Sequence, residues 1–166
     1  MMRSVAEIDA LLDTEKSLFG APEWVEDGAA AHLVGAVVNA AGVVLGGVSL
    51  RLSVLIHLPA PQRGSAVLVL DNHPLQRLSF RPDHAHVNPG RHPVTRGLRR
   101  QTLPAERSRI YRWKDNRVWP RPDSFGVGAL LASEPQTIGD AFNLFLEECR
   151  IAAYLPPPPH RPKLEL

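Results

Sequence analysis

From Val48 to Leu58 every even-numbered residue is apolar: Val48, Leu50, Leu52, Val54, Ile56 and Leu58. Ser49, Arg51, Ser53 and His57 stand between them, and Leu55 alone breaks the alternation. Side chains of an extended chain point to opposite faces at successive residues, so a period of two fits a strand with one buried and one wetted face. A helix would scatter the same residues around its circumference. A strand this long and this two-faced requires partners along its edges and a second layer over its apolar side.

The flanking sequence supplies both. The spacing predicts a helix over 4–19: Ser4 and Glu7 have capping-box spacing, Val5, Ile8, Leu11, Leu12, Leu18 and Phe19 share a broad face, and Gly20 and Pro22 stop the run. Leu33–Val38 and Val43–Leu45 are short β-branched runs around an Asn39–Gly42 hairpin turn. After a turn over 59–64, Ala66–Leu70 is continuously apolar and reads as a central strand. A second turn over 71–74 leads to Gln76–Arg81, where Leu78 and Phe80 alternate with Arg77, Ser79 and Arg81, a strand with a cationic outer face.

Residues 82–104 hold four prolines and two glycines with no sustained period and read as a long loop, a feature often tied to function. Strand character returns over Ser108–Lys114, Asp115-Asn116 turns the chain before Val118-Trp119, and Gly126–Ala132 suits either strand or helix. A closing helix is expected over Thr137–Tyr154, capped by Thr137 and Asp140, with Ile138, Ala141, Phe142, Phe145 and Cys149 as its apolar stripe. The run Pro156–Pro159 predicts a stiff polyproline II tail, extended into solvent, over 155–166. The expected fold is α+β: one domain over 1–154, with an antiparallel meander of about five or six strands packed by an N-terminal and a C-terminal helix.

Charge is segregated along the chain. Residues 77–121 carry twelve of the nineteen Lys and Arg residues against three acids, a formal +9, whereas the remainder carries seven bases against fourteen acids, or −7. Such a dipolar chain is expected to present a basic face to a polyanion. Candidate nucleic-acid contacts are Arg77 and Arg81 on the strand, Arg91, Arg96, Arg99 and Arg100 on the loop, and Arg109, Arg112, Lys114 and Arg117 beyond it. Tyr111, Trp113 and Trp119 are candidate stacking platforms for unpaired bases, although Trp119, between Val118 and Pro120, reads better as core.

The same stretch contains Asp83-His84-Ala85-His86, with His92 further on. Residues two apart in an extended segment face the same way, so His84 and His86, joined by His92 or Asp83, are candidate ligands of a divalent metal that would activate water. His84-Ala85-His86 resembles the paired histidines of the HUH single-strand endonucleases, a resemblance that makes Tyr111 or Tyr154 the nucleophile. The family pair lies on a buried strand, whereas this one stands between Pro82-Asp83 and Asn88-Pro89.

Two further resemblances concern architecture. The order of helix, four-strand meander, His86-Val87-Asn88 turn and later tryptophan is similar to the ubiquitin-conjugating-enzyme fold, whose turn reads His-Pro-Asn. No cysteine follows that turn at the expected place, because Cys149 sits in the closing-helix stripe, so the resemblance implies a fold without conjugating activity. Arg81–Pro89, Ile110–Trp113, Trp119-Pro120 and Phe142–Ile151 together resemble short uncharacterised proteins of bacterial prophages and mobile elements, which implies an accessory protein and no particular reaction.

Composition narrows the classes. A single Cys149 rules out an intramolecular disulfide and a cysteine-built zinc site, and fits a cytoplasmic setting. The most apolar region, 33–58, is interrupted by Asn39, Gly42, Gly46, Gly47, Ser49, Arg51 and Ser53, which excludes a membrane helix there. No secretory signal is expected at the N-terminus. The leading expectation is a non-catalytic protein that binds nucleic acid or a nucleoprotein, with no cofactor. The alternatives are a metal-dependent phosphodiesterase using the histidine loop, and a protein–protein adaptor.

Overall fold

The computed structural model describes residues 3–91, 97–120 and 126–164. Helix α1 (Val5–Asp13) is followed by β1 (Lys16–Leu18), β2 (Val25–Asp27), β3 (Ala30–Asn39), β4 (Val44–Leu55), β5 (Gly64–Leu70) and β6 (His73–Phe80). The short strands β7 (His86–Val87) and β8 (Thr102–Leu103) pair as a separate ribbon. Then come β9 (Arg109–Tyr111), α2 (Trp113–Asn116), β10 (Ala129–Leu130), α3 (Ile138–Glu148) and β11 (Ile151–Ala152). Nine strands form one sheet in the order β10-β9-β6-β5-β4-β3-β1-β11, with β2 also on β3. All pairings are antiparallel except β1 with β11. The fold is α+β, with more strands than the sequence predicts.

The alternation in β4 does what its period requires. Val48, Leu50, Leu52, Val54 and Ile56 are buried, and Ile8 of α1 joins Ile138, Ala141, Phe142 and Phe145 of α3 in the same core. The sheet is therefore covered by both helices on one face. Leu68 and Ala66 of β5, Leu78 and Phe80 of β6 and Ile110 of β9 point into the same layer. Their neighbours in sequence necessarily point the other way.

Both terminal helices are shorter than their apolar runs. The N-terminal helix ends at Asp13, where the buried Lys16 ammonium donates to the carbonyls of Leu11, Leu12 and Thr14. It thereby satisfies groups that a helix end leaves without partners. Burial lowers the Lys16 pKa, the largest influence on it. Residues 16–18, expected in the helix, instead form β1, leaving Phe19 64% exposed. The closing helix ends at Glu148. Arg150 takes a left-handed φ of 54°, and Ile151 and Ala152 pair in parallel with Lys16 and Ser17.

Elsewhere, Val43–Leu45 and Val48–Leu58 are not two strands; 44–55 is one. The turn between β5 and β6 is narrower than 71–74. Asp71 and Asn72 alone take positive φ, 48° and 66°, a conformation short polar side chains tolerate in tight hairpins. The segment read as a loop over 82–104 carries the β7–β8 ribbon, and Gly126–Ala132 yields β10. The strand over 108–114 ends at Tyr111 because Trp113 begins α2.

The tail is not a free extension. The Trp24 indole donates to the Pro156 carbonyl at 3.0 Å, Gln62 Nε2 donates to Pro159 at 2.8 Å, and the Arg161 and Lys163 amides donate to Ile56 and His57. Arg161 also pairs with Glu26 of β2. A polyproline segment keeps its carbonyls available, which lets it dock without forming a strand. No described helix is long and apolar enough to cross a membrane.

Candidate functional site

The register of the sheet sets out its second face. Val34 of β3, Arg51 of β4, Val67 of β5, Arg77 of β6 and Tyr111 of β9 are successive partners in one row. The adjacent row is His32, Ser53, Ser65, Ser79 and Arg109, with the Ser53 and Ser65 hydroxyls 3.0 Å apart. Neither row contains an acid. Arg51, Val34 and His32 are exposed, and Arg77 is half-buried. Arg51 and Arg77 are two strands apart, about 10 Å. Among the described residues neither forms an ion pair.

The β7–β8 ribbon borders this face at its β9 end. The His86 ring stands edge-on to Tyr111 with centroids 5.4 Å apart, and Leu103 of β8 crowds the same tyrosine across Gly128. The segment that joins the ribbon strands carries the exposed Arg91, Arg99 and Arg100. Arg100 lies over Gly90, where an added Cβ would stand 2.8 Å from its Nε. The ribbon therefore borders the open face, and Arg91, Arg99 and Arg100 are exposed in the segment that joins its strands.

Three of the other predicted cations, Arg81, Arg112 and Arg117, face carboxylates elsewhere. Arg112 forms a two-point ion pair with Glu148 of α3, at 3.0 and 2.7 Å. Arg117 pairs with Asp9 of α1 at 2.6 Å, and the Trp113 indole donates to the same carboxylate. These bonds hold the carboxyls of Asp9 and Glu148 below their usual range and raise both arginines. Lys114 is exposed beside them, in a cleft lined by Asp9, Gln76 and Glu148. Arg107 approaches Glu134 at 3.6 Å and Arg81 approaches Glu106 at 3.8 Å. Arg109 is 1% exposed. Arg96 and His92 lie outside the described residues.

Two expectations about aromatic and histidine chemistry are not matched by the geometry. Tyr111 and Trp113 are buried, so neither offers a stacking surface; Trp119 is half-buried against the His73 ring. His84 is exposed and bonded to Asp83 at 3.0 Å, a contact that lowers the Asp83 pKa. His86 turns inward and engages the Gly126 carbonyl through Nε2 at 3.0 Å. The pair diverges, and no group of three His, Cys, Asp or Glu residues among those described is arranged to hold a metal. Tyr154 lies beyond β11, at the opposite sheet edge from β9.

Cys149 caps α3 in the core beside Gln76, whose amide donates to its sulfur at 3.3 Å. Burial pushes the thiol up to about 12. A thiol reagent at mildly alkaline pH is expected to label it only as fast as the protein unfolds. Native labelling at the rate of a free thiol would refute that.

Arg51 escaped the sequence reading because it lies outside the basic stretch, although its place in the polar phase of the β4 alternation marked it as facing solvent. Asn88 and Asn116 read from the sequence only as turn residues, and their side chains do more. Asn88 Nδ2 donates to the Leu98 and Gly128 carbonyls while its Oδ1 accepts from the Gly128 amide. Asn116 does the same with Arg112 and Val127. Comparison of the chain with protein-family models, curated proteins and solved structures finds no match in any of the three.

Proposed function

We propose that the protein is a non-catalytic binding module that engages the phosphate backbone of nucleic acid on the open face of its sheet, with the basic loop as a rim. The observation that supports this reading is the acid-free row in which Arg51 and Arg77 flank Val67. Phosphates need only cations within reach, and small serines on either side allow a backbone to lie close. The burial of Tyr111 and Trp113 favours backbone contact over base stacking, and hence weak sequence preference.

Labelled oligonucleotides titrated across a salt series test it. With three or four phosphate contacts, the logarithm of affinity is expected to fall against that of salt with a slope of about −3. Arg51→Gln with Arg77→Gln should reduce the slope by about two and the affinity at least ~10-fold. Arg112→Gln with Arg117→Gln removes the same charge from pairs already neutralised, and should leave the slope unchanged. Equal effects of the two double variants, or no affinity at about 50 mM salt, would overturn the reading.

A further inference from the structure

We infer that Arg77 and Arg109 form a seat for one tetrahedral oxyanion, a phosphate group, where the open sheet face meets the β7–β8 ribbon. Ser79 is the direct cross-strand partner of Arg109, and Arg77 that of Tyr111. The two arginines are therefore diagonal neighbours on one face of adjacent strands, about 7–8 Å apart at their backbones and within reach of each other at their tips. Ser79, opposite Arg109 and two residues along the strand from Arg77, adjoins both.

What these guanidinium groups lack distinguishes them. Among the described residues Arg109 donates once, through Nη2, to the His84 carbonyl, and its Nε and Nη1 are buried with no partner. Arg77 Nε is buried and unpartnered as well. A guanidinium does not shed its proton to escape burial. Two permanent positive charges thus sit on neighbouring strands, Arg109 buried and Arg77 half-buried, with three guanidinium nitrogens unused.

Three described acids near this end of the sheet are committed to other groups. Glu106 is held by Arg63 and Arg81, Asp83 by His84 and Arg63, and Glu134 by Arg107 and Ser108. Among the described residues, the neighbouring Arg63, Arg81 and Arg107 have carboxylate partners, whereas Arg77 and Arg109 have none. Burying an unpaired charge is among the most destabilising features a fold can carry. An arrangement retained at that cost suits a site completed by a ligand. Two guanidinium groups approaching from different strands match a dianionic tetrahedral group better than a planar carboxylate, which a single arginine fork already satisfies.

This seat shares Arg77 with the proposed nucleic-acid face and rests on that reading for its biological role, though not for its chemistry. The group bound can be a terminal phosphate, an internal phosphodiester or free phosphate.

The test is thermal unfolding of the full chain in inorganic phosphate against chloride at matched ionic strength. A saturable rise in Tm of roughly 5–10 °C at a hundredfold excess over Kd is expected. Arg109→Met keeps an unbranched stem without the charge. It should abolish the phosphate response and raise Tm in chloride above that of the parent. Should that variant fail to fold, Arg77→Gln, at a half-buried position, is expected to remove the same response.

No greater stabilisation by phosphate than by chloride would overturn the seat, as would a response that survives both substitutions. Oligonucleotide binding without a phosphate response sinks the seat and leaves the face. A phosphate response without oligonucleotide binding keeps the seat and sinks the nucleic-acid reading. At least ~10-fold tighter binding of a 5′-phosphorylated strand than of its dephosphorylated twin identifies a terminal phosphate as the occupant. Equal binding identifies internal or free phosphate.

Discussion

Asn88→Asp and Asn116→Asp are each expected to cost about 3–5 kcal/mol of folding stability at neutral pH, read by urea or guanidinium denaturation. Each change exchanges one NH2 for an oxygen and alters almost nothing in shape. Both side chains are nearly inaccessible, 2% and 4% exposed, and both use their amide as a strand would use its backbone. Asn116 gives to and takes from Val127, at 2.9 Å in each direction, while Asn88 does the same with Gly128 at 2.8 and 2.9 Å. An aspartate can still accept from the Val127 or Gly128 amide. It cannot donate, so its second oxygen would face two carbonyls, Leu98 and Gly128 at one site and Arg112 and Val127 at the other.

The penalty should depend on pH with a definite sign. Burial and facing carbonyls raise the folded-state pKa of the introduced acid above its unfolded value of about 3.9. The folded variant then binds more protons than the unfolded chain between those two values, so its stability falls as pH rises through that window. Below about pH 4 the acid is neutral in both states, can donate one bond, and the deficit against the parent is smallest. A deficit under about 1 kcal/mol, or one that is flat with pH, would show that these amides do not hold the 127–128 segment. That segment leads directly into β10, which pairs with β9 beside Arg109, so the asparagines support the edge of the candidate site.

Much of the framework was legible because its signals are local. The β4 alternation and the 138–149 stripe are patterns of two and of about three and a half residues, and each is written within a dozen positions. The element ends were less legible because they are set by partners far away. Lys16 and Ile151 pair although 135 residues separate them, and no periodicity around Leu18 shows that a strand from the far end will lie beside it. The apolar run at 16–19 looks like more helix until β11 arrives. Charge density was legible too, and its disposition was not. The acids that neutralise Arg112, Arg117 and Arg107 are Glu148, Asp9 and Glu134, all outside the basic stretch and brought to it only by the fold. Counting cations within 77–121 could not separate these from Arg77 and Arg109.

Phe145→Ala and Phe19→Ala set two phenylalanines of equal size against each other, and the first should cost about 3–5 kcal/mol while the second stays within about 0.5. Both belong to apolar runs that the sequence assigns to packed helix faces. Phe145 is fully inaccessible, in the layer where α3 meets the sheet, with Phe142, Ala141 and Ile138 along the same helix face. Removing its ring deletes contacts that a close-packed interior refills only in part, and the cavity adds to the lost transfer energy. Phe19 follows β1 and keeps 64% of its surface in water, so truncation removes little burial. Its backbone amide, bonded to the Ala36 carbonyl at 2.9 Å, is untouched by the change. Denaturant midpoints of the two variants decide the matter. Similar losses would mean that 16–19 packs as helix after all. That would dismantle the β1–β11 pairing at one edge of the sheet, while the β3–β4–β5–β6–β9 register that sets Arg51, Arg77 and Arg109 on one face would stand.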